Sequence, residues 1–286
     1  MYNGIINVNK PSNISSFQVV SVVRKLTNVK KVGHLGTLDP MACGVLPIAV
    51  GNATKLFDYF LNKRKGYRAC FCFGIETDTF DSEGIVTSRC DTKINLEDVK
   101  SATKKFIGKI SQVPPKFSAK SVNGVRAYEM ARNNKEFELK PVNIDVYKFD
   151  AISQISENVF MFNIECGSGC YIRSLCRDLA KELNTVGYMP MLIRTDAGIF
   201  KIEDSIDFTT LKNSDNLEQF IIPIDKCLPF DSIQLNDDCT KKIKNGLVIY
   251  TDLVDGLYKL YDSKNSFFAL GRADNNKLKM ELFLSD

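Results

Sequence analysis

The sequence contains no long run of apolar residues. No stretch approaches the apolar length that a membrane-spanning helix requires. The amino-terminal segment MYNGIINVNKPSN also lacks the basic region followed by an apolar region that marks a secretory signal. These absences argue against membrane and secreted proteins, and we expect a cytoplasmic one.

Patterns that bind metal ions are also scarce. The chain has one histidine, His34, and none of its nine cysteines belongs to a CxxC pair. The densest group, Cys166, Cys170 and Cys176, has no histidine at a spacing that would complete a zinc site. We therefore expect no metal, no cofactor, and cysteines that are free and mostly buried.

The most constrained stretch is KKVGHLGTLDPMACGVLPIAVG, residues 30–51, which contains one carboxylate, Asp39. Pro40 biases Asp39 away from helical backbone, and Gly36 allows a sharp turn before it. A carboxylate among apolar neighbours such as Leu38 and Met41 must be either paired or functional. An aspartate that bonds its own backbone in an Asp-Pro turn is the alternative, and these residues alone favour it.

Apolar periodicity predicts the strands. Alternation from Tyr67 to Phe73 predicts a strand with Tyr67 on its aromatic face. The runs Val142 to Ile155 and Val159 to Cys166 predict a hairpin, and after Pro223 the chain turns into short strand-like runs. Leu46 to Val50 is expected to be a short strand or turn interrupted by its proline.

Helical spacing predicts the helices that flank these strands. A first helix is expected after a cap at Ser15 or Ser16, a second after Asn52, and a third after Asn95. The longest apolar stripe begins at Tyr171. We predict an α+β fold with a central mixed, largely antiparallel sheet flanked by helices over residues 1–222, and a small β-rich domain over residues 223–286.

Five motifs, in chain order, resemble the TruB family of pseudouridine synthases. The segment GHLGTLDPMACGVLPIAVGNATKL is similar to the family signature GHxGTLDPxATGVLPxxxGxATK. The other four are NKPSNISSFQVV, GYRACFCFGIETDTFDSEG, QVPPKFSAKSVNGVRAYEMAR and CGSGCYIRSLCRDLAKEL. The likeness covers roughly residues 4 to 200, and motifs of this length in this order are highly specific.

The resemblance implies an enzyme that isomerises uridine to pseudouridine at position 55 in the T loop of tRNA. The glycosidic bond breaks, the base rotates, and a C–C bond forms with help from an aspartate nucleophile. Asp39 matches that aspartate, Tyr67 matches a tyrosine that stacks on the target base, and Arg173 matches an arginine that pairs with the nucleophile. Such pairing is expected to lower the pKa of Asp39.

The resemblance also implies residues that bind the RNA. His34 matches a histidine that helps to flip nucleotides out of the loop, and Leu192 would pack under the target base. Much more weakly, residues 223–286 resemble a PUA-like RNA-binding module. The net charge of +4 permits a polyanionic partner. Candidate phosphate contacts, or else ordinary solvated charges, are Lys10, Lys30, Lys31, Lys63, Arg64 and Lys65.

Departures from the family pattern remove charge or a hydroxyl group. Residues that differ from the family's usual ones are Cys43, Phe117, Ser121, Ser168, Ile193 and Asp196. We expect weaker tRNA affinity without loss of a catalytic group. The alternatives are a tRNA-binding folding chaperone with little or no catalysis, and a synthase for another RNA with a similar hairpin. We expect a monomer with tRNA as partner and no protein partner.

Overall fold

The computed structural model describes residues 2–118, 120–122, 124–133 and 135–285. Its α-helices are α1 (Ser16–Thr27), α2 (Phe57–Leu61), α3 (Leu96–Thr103), α4 (Ala127–Arg132), α5 (Ile172–Glu182), α6 (Phe208–Lys212) and α7 (Asp237–Lys244). Short 3-10 helices cover Gly51–Leu56, Lys104–Phe106, Glu218–Phe220 and Ile224–Cys227. Within the described ranges, no helix combines the length and apolarity needed to cross a membrane.

The strands occupy most of the remaining chain. They are β1 (Gly4–Lys10), β2 (Val32–His34), β3 (Cys43–Val50), β4 (Lys65–Phe73), β5 (Ile75–Thr77), β6 (Val86–Arg89), β7 (Gly108–Gln112), β8 (Ser121–Val122), β9 (Val125–Arg126), β10 (Val142–Ser156), β11 (Val159–Cys166), β12 (Gly187–Ala197), β13 (Phe200–Lys201), β14 (Ile206–Asp207), β15 (Asp231–Gln234), β16 (Ile249–Tyr250), β17 (Gly256–Tyr261), β18 (Phe267–Asp274) and β19 (Lys277–Phe283).

One sheet of ten strands organises the larger part of the molecule. Its order is β14-β1-β3-β12-β4-β11-β10-β7, with β2 added beside β3 and β13 beside β12. Two pairs, β1 with β14 and β3 with β12, are parallel, and the other pairs are antiparallel. The predicted α+β fold with a mixed, largely antiparallel sheet is confirmed, and so is the β10–β11 hairpin.

Strand β3 changes its neighbour halfway along one edge. Residues 48–50 pair with β2, whereas residues 43–44 pair with β12. At the change, the Pro47 carbonyl accepts a hydrogen bond from the Leu35 amide (2.9 Å). Proline has no N–H group to leave unpaired at this position. The strand runs through Pro47 without the expected interruption. The segment that contains Asp39 connects β2 to β3.

Local chemistry explains where most helices begin. The Ser15 hydroxyl accepts from the Gln18 amide, and the Gln18 side chain accepts in return from the Ser15 amide. Asn95 caps α3 as expected. The prediction that Asn52 caps a helix is wrong, because Asn52 lies inside a 3-10 helix and its side chain donates to the Ser285 carbonyl (2.7 Å).

Residues beyond 222 form a second, five-stranded sheet in the order β15-β17-β18-β19-β16. Asn275 and Asn276 both have positive φ (50° and 57°), as the turn between β18 and β19 requires. Helix α7 was not predicted, because the sequence after Pro223 was interpreted as short strands. One buried apolar cluster joins Leu270 and Leu284 to Ile5 near the start of the chain. The division at residues 222 and 223 stays a prediction.

Candidate active site

Asp39, in the segment between β2 and β3, pairs with Arg173 in the first turn of α5. Arg173 Nε lies 2.9 Å from Asp39 Oδ2, and Nη2 donates to Asp39 Oδ1 at 3.1 Å. This two-point geometry is the strongest that an arginine can make with a carboxylate. The Arg173 side chain is 5% exposed and that of Asp39 33%. The carboxylate therefore keeps one side accessible while its counter-ion is buried.

The other donors of Arg173 are also occupied. Nη1 contacts Asp81 Oδ2 (3.2 Å) and donates to the Thr79 carbonyl (3.2 Å). Nη2 donates in addition to the Phe117 carbonyl (2.9 Å). A guanidinium has five N–H donors, and these contacts engage all of them. Arg173 is held as a fixed positive charge between two carboxylates.

Asp81 is a site residue to which sequence reasoning assigned no role. Its carboxylate is buried, and its Oδ1 accepts from the Thr79 hydroxyl (2.6 Å) and the Glu83 amide (3.0 Å). Phe80, directly before it, has φ 60°, an uncommon conformation for a bulky residue that is often found at functional sites. The signal was present, because Asp81 is part of the TDTFD portion of the third family-like motif.

The pKa of Asp39 departs from the expectation. Burial raises the pKa of the Asp39 carboxyl, and the Asp81 carboxylate raises it further, while Arg173 and Lys10 lower it. The net direction is upward because removal from water outweighs the ion pair. Arg173 lowers the pKa of Asp39 as expected, but burial has the larger effect, so the expected net lowering is not found.

Tyr67 and Leu192 lie on adjacent strands and face the same side of the sheet. The register pairs Leu192 with Ala69 and Arg194 with Tyr67 across β12 and β4. Alternation along each strand puts all four side chains on one face. Tyr67 and Leu192 are buried in the same apolar cluster as Leu38, next to Asp39. Burial raises the pKa of the Tyr67 phenol, so it is neutral at physiological pH.

Arg194 is a second buried arginine that the sequence analysis did not select. Its Nε donates to the Val45 carbonyl (2.7 Å), Nη1 to Thr37 (3.2 Å) and Nη2 to Gly36 (3.1 Å). The residue is 1% exposed. These three carbonyls lie on both sides of Asp39 in the chain, so the guanidinium occupies the inside of the loop.

Lys10 does not have the surroundings of a phosphate-binding residue. It is fully buried, and its ammonium donates to the carbonyls of Pro11 (2.9 Å), Ile14 (2.7 Å) and Pro40 (3.1 Å). Burial lowers its pKa to about 8. The expectation that Lys10 contacts phosphate is therefore corrected: the residue ties β1 to the backbone beside Asp39.

The other candidate phosphate contacts divide by exposure. Lys65 is buried, and its ammonium donates to the Leu61 carbonyl (2.8 Å) and the Lys63 carbonyl (3.0 Å). Arg64 pairs with Glu165 at 3.4 Å. Lys30 and Lys31 are exposed beside β2. Lys63 is partly buried, with its ammonium 3.9 Å from the centre of the Tyr59 ring.

His34 ends β2, and its ring lies partly buried near the Asp39 loop. Burial lowers the pKa of the imidazole, and the Arg194 charge lowers it further, so the ring is neutral. Its Nδ1 is buried without a hydrogen-bond partner in the described structure. Over the described residues there is no group of three or more His, Cys, Asp or Glu side chains that could hold a metal ion. The nine cysteines are free, and four of them are buried.

Two protein-family models match the chain. The family model described as "TruB family pseudouridylate synthase (N terminal domain)" matches residues 24–172, and "tRNA pseudouridylate synthase B C-terminal domain" matches residues 173–229. A curated protein of Clostridium novyi is 39% identical over 99% of both chains, and one of Clostridium kluyveri is 42% identical over 97% of this chain and 98% of its own. Both are named "tRNA pseudouridine synthase B".

Solved structures show the same fold. A crystal structure of a Cbf5-Nop10-Gar1 complex contains a chain that is 23% identical, with a TM-score of 0.71 over 100% of this chain and 84% of that one. An H/ACA RNP bound to a substrate RNA gives a TM-score of 0.72 at 22% identity, over 99% of this chain and 85% of that one. From the family matches and the relatives of about 40% identity, the chain belongs to the TruB family and is a pseudouridine synthase.

Proposed function

We propose that the protein isomerises uridine to pseudouridine at position 55 in the T loop of tRNA. The names of its relatives support tRNA as the substrate, and the five motifs support the position. The observation that carries the proposal is the Asp39 carboxylate, partly buried but still accessible, held side-on by the buried, fully engaged Arg173. A carboxylate fixed in this way can approach a ribose without first reorganising its own partner.

In this proposal Asp39 is the nucleophile. Its accessible carboxylate attacks ribose C1′, or assists through a glycal intermediate, and the C1′–N1 bond breaks. The released base rotates and C5 bonds to C1′ as the bond between Asp39 and C1′ breaks or, by the glycal route, as the proton that Asp39 took from C2′ returns. C5 then loses its proton, and N1 ends with one. Product and substrate have the same atoms. Carboxylates suit such covalent work on a sugar carbon because they both add and leave readily.

Tyr67 and Leu192 form the surface for the target base. The ring of Tyr67 would stack on the uracil, and Leu192 would support it from the neighbouring strand. Extraction of a base from a stacked loop costs a few kcal/mol, which aromatic and apolar contacts must offset. The neutral His34 at the end of β2 would position the displaced nucleotide rather than transfer protons.

The rest of the RNA would be held by charge and by the β-rich region. Lys30 and Lys31 are exposed beside the active-site loop, where they can contact phosphates. We assign residues 1–222 to the catalytic domain and residues 223–286 to a PUA-like RNA-binding domain.

Asp39→Asn should abolish turnover and leave RNA affinity nearly unchanged, because only the nucleophile is lost. Pseudouridine at position 55 of an unmodified tRNA transcript is measured together with the Kd. Asp78→Asn is a matched control, since Asp78 is an exposed carboxylate that bonds the Ile85 amide (2.9 Å) on the same turn as Asp81. Residual Asp39→Asn activity within about tenfold of wild type would refute the nucleophile assignment.

The same assay separates the alternatives. Tight binding by the wild-type protein without any pseudouridine would favour a folding chaperone for tRNA. Pseudouridine mapping in cellular RNA after gene deletion would reveal a different RNA substrate if position 55 of tRNA kept its modification.

A further inference from the structure

Arg194 lies on β12, at the point where β12 pairs in parallel with β3. Its three hydrogen bonds reach the carbonyls of residues 36, 37 and 45, which bracket Asp39. The Asp39 loop therefore wraps around one guanidinium. Arg194 reaches the loop from within the sheet, on the same face as Tyr67 and Leu192.

The contacts of Arg194 are unusual for a buried charge. The three hydrogen bonds just described all go to neutral carbonyls, and burial lowers the pKa of the guanidinium. Burying a charge is unfavourable unless it gains strong hydrogen bonds. An apolar side chain could fill the same volume but would remove these donors from the carbonyls of Gly36, Thr37 and Val45, and two of the three hydrogen bonds, those to Gly36 and Val45, are buried. The arginine thus supplies the donors that this irregular loop lacks.

The guanidinium also reaches Tyr67. The two residues are direct neighbours across β12 and β4, and Arg194 lowers the pKa of the Tyr67 phenol through its charge and a hydrogen bond, against the larger upward effect of burial. One side chain therefore contacts both the loop that carries Asp39 and the tyrosine that faces the target base.

The backbone around Arg194 disfavours a side chain at two glycines, Gly36 and Gly44. A Cβ atom at Gly44 would lie 2.3 Å from the Arg194 carbonyl oxygen, a distance that real structures do not show. Gly36, whose carbonyl accepts from Nη2, has φ 139°, a conformation that side chains disfavour. The loop and the strand are fitted to each other at these two glycines.

We propose that Arg194 is a positioning residue that sets the distance between Asp39 and Tyr67. The inference rests on the proposed roles of those two residues. A planar guanidinium can direct donors to three carbonyls at once, whereas a lysine ammonium is a compact point charge on a flexible chain. A loss of alignment of about 1 Å in an active site lowers the rate about 100-fold.

The test compares Arg194→Lys and Arg194→Met with the wild type. Single-turnover rate, Kd for a tRNA transcript and thermal unfolding are measured on each protein. We expect the rate to fall about 100-fold in Arg194→Lys and further in Arg194→Met, with a Kd within about threefold of wild type. Arg24→Lys is the control, because exposed Arg24 also donates to a backbone carbonyl, that of Val32 in β2 (3.3 Å), but not to the segment that carries Asp39.

Three results would overturn the proposal. They are a rate within about threefold of wild type in Arg194→Lys, a loss of rate matched by an equal loss of affinity, and a protein that is unfolded at the assay temperature. The last would assign Arg194 to global stability. Failure of the proposed function is distinguishable, because it would show as an inactive wild type or an active Asp39→Asn variant.

Discussion

The two buried arginines of the active site are stabilised in different ways. Arg173 lies between the carboxylates of Asp39 and Asp81. Arg194 is bound by the carbonyls of Gly36, Thr37 and Val45. One balances charge and the other replaces missing backbone donors. Removal of the first should therefore disturb electrostatics and stability together, whereas removal of the second should disturb mainly geometry.

Lys10 extends the comparison to lysine. Like Arg194 it is bound by carbonyls, and like Arg194 it contacts the loop next to Asp39. Unlike arginine, it can lose its proton when it is removed from water, and its pKa falls to about 8. The site therefore contains buried arginines and a buried lysine that can lose its proton. Substitutions at each can separate their effects.

The largest effect is expected for Arg173→Met. It would leave the carboxylates of Asp39 and Asp81 near each other without a counter-ion, which should lower the free energy of unfolding by about 3–5 kcal/mol and abolish turnover. Urea denaturation and the tRNA assay measure both. Arg177→Met is the matched control on the next turn, where Arg177 pairs with a single carboxylate among the described residues, that of Asp178, at 2.8 Å. Equal losses in the two variants would contradict the special role of Arg173.

A smaller effect is expected for Asp81→Asn. The neutral amide keeps the shape but weakens the hold on Arg173, so the rate at neutral pH should fall about tenfold. Because the Asp81 charge raises the pKa of Asp39, its removal should lower that pKa. Asp39 is proposed to act when ionised, so the acid limb of the pH–rate profile should move to lower pH. An acid limb that moves to higher pH would contradict the assignment, and Asp78→Asn should leave it in place.

Lys10→Met should change how stability depends on pH. Burial lowers the pKa of Lys10 from 10.5 to about 8 in the folded protein. Between these values the unfolded chain holds more protons, so this group makes stability rise with pH. The wild-type free energy of unfolding, minus that of Lys10→Met, should thus be larger at pH 10 than at pH 7.5. A difference that is the same at both pH values would show that burial does not lower the pKa of Lys10.

The smallest effect concerns an exposed lysine. Lys31→Ala should weaken tRNA binding slightly and reduce the slope of log K against log salt by about 0.7–0.9, the value for one phosphate contact. Lys10→Met should leave that slope unchanged, since its ammonium is bound by carbonyls. Measurement of Kd over a range of salt concentrations tests both. A lower slope in Lys10→Met would instead restore Lys10 to the RNA-binding surface.

Local chemistry made much of the fold predictable. The cap at Ser15 and the strand beginning near Tyr67 depend on neighbours in sequence, and the structure has both. Asn52 failed as a predicted cap because a distant partner, Ser285, takes its side chain. Predictions held where the deciding contact was local.

In the candidate site, too, contacts between residues distant in sequence were not predicted. Motif resemblance selected Asp39 and Arg173, and the structure brings them together. It did not reveal that Lys10 is enclosed by carbonyls or that Arg194 supports the loop, because both depend on strand register and on burial. A lysine in a basic segment and an arginine in a strand have many possible partners, and sequence alone does not select one.

The parallel pairing of β3 with β12 has a consequence for folding kinetics. Arg194 and Val45 are 149 residues apart in sequence, and Arg173 and Asp39 are 134 apart. Contacts of such long range close large loops and form slowly, whereas α1 and the β10–β11 hairpin can form locally. We expect Asp39, the proposed nucleophile, to acquire its partners late in folding, so that partly folded chains bind no substrate productively.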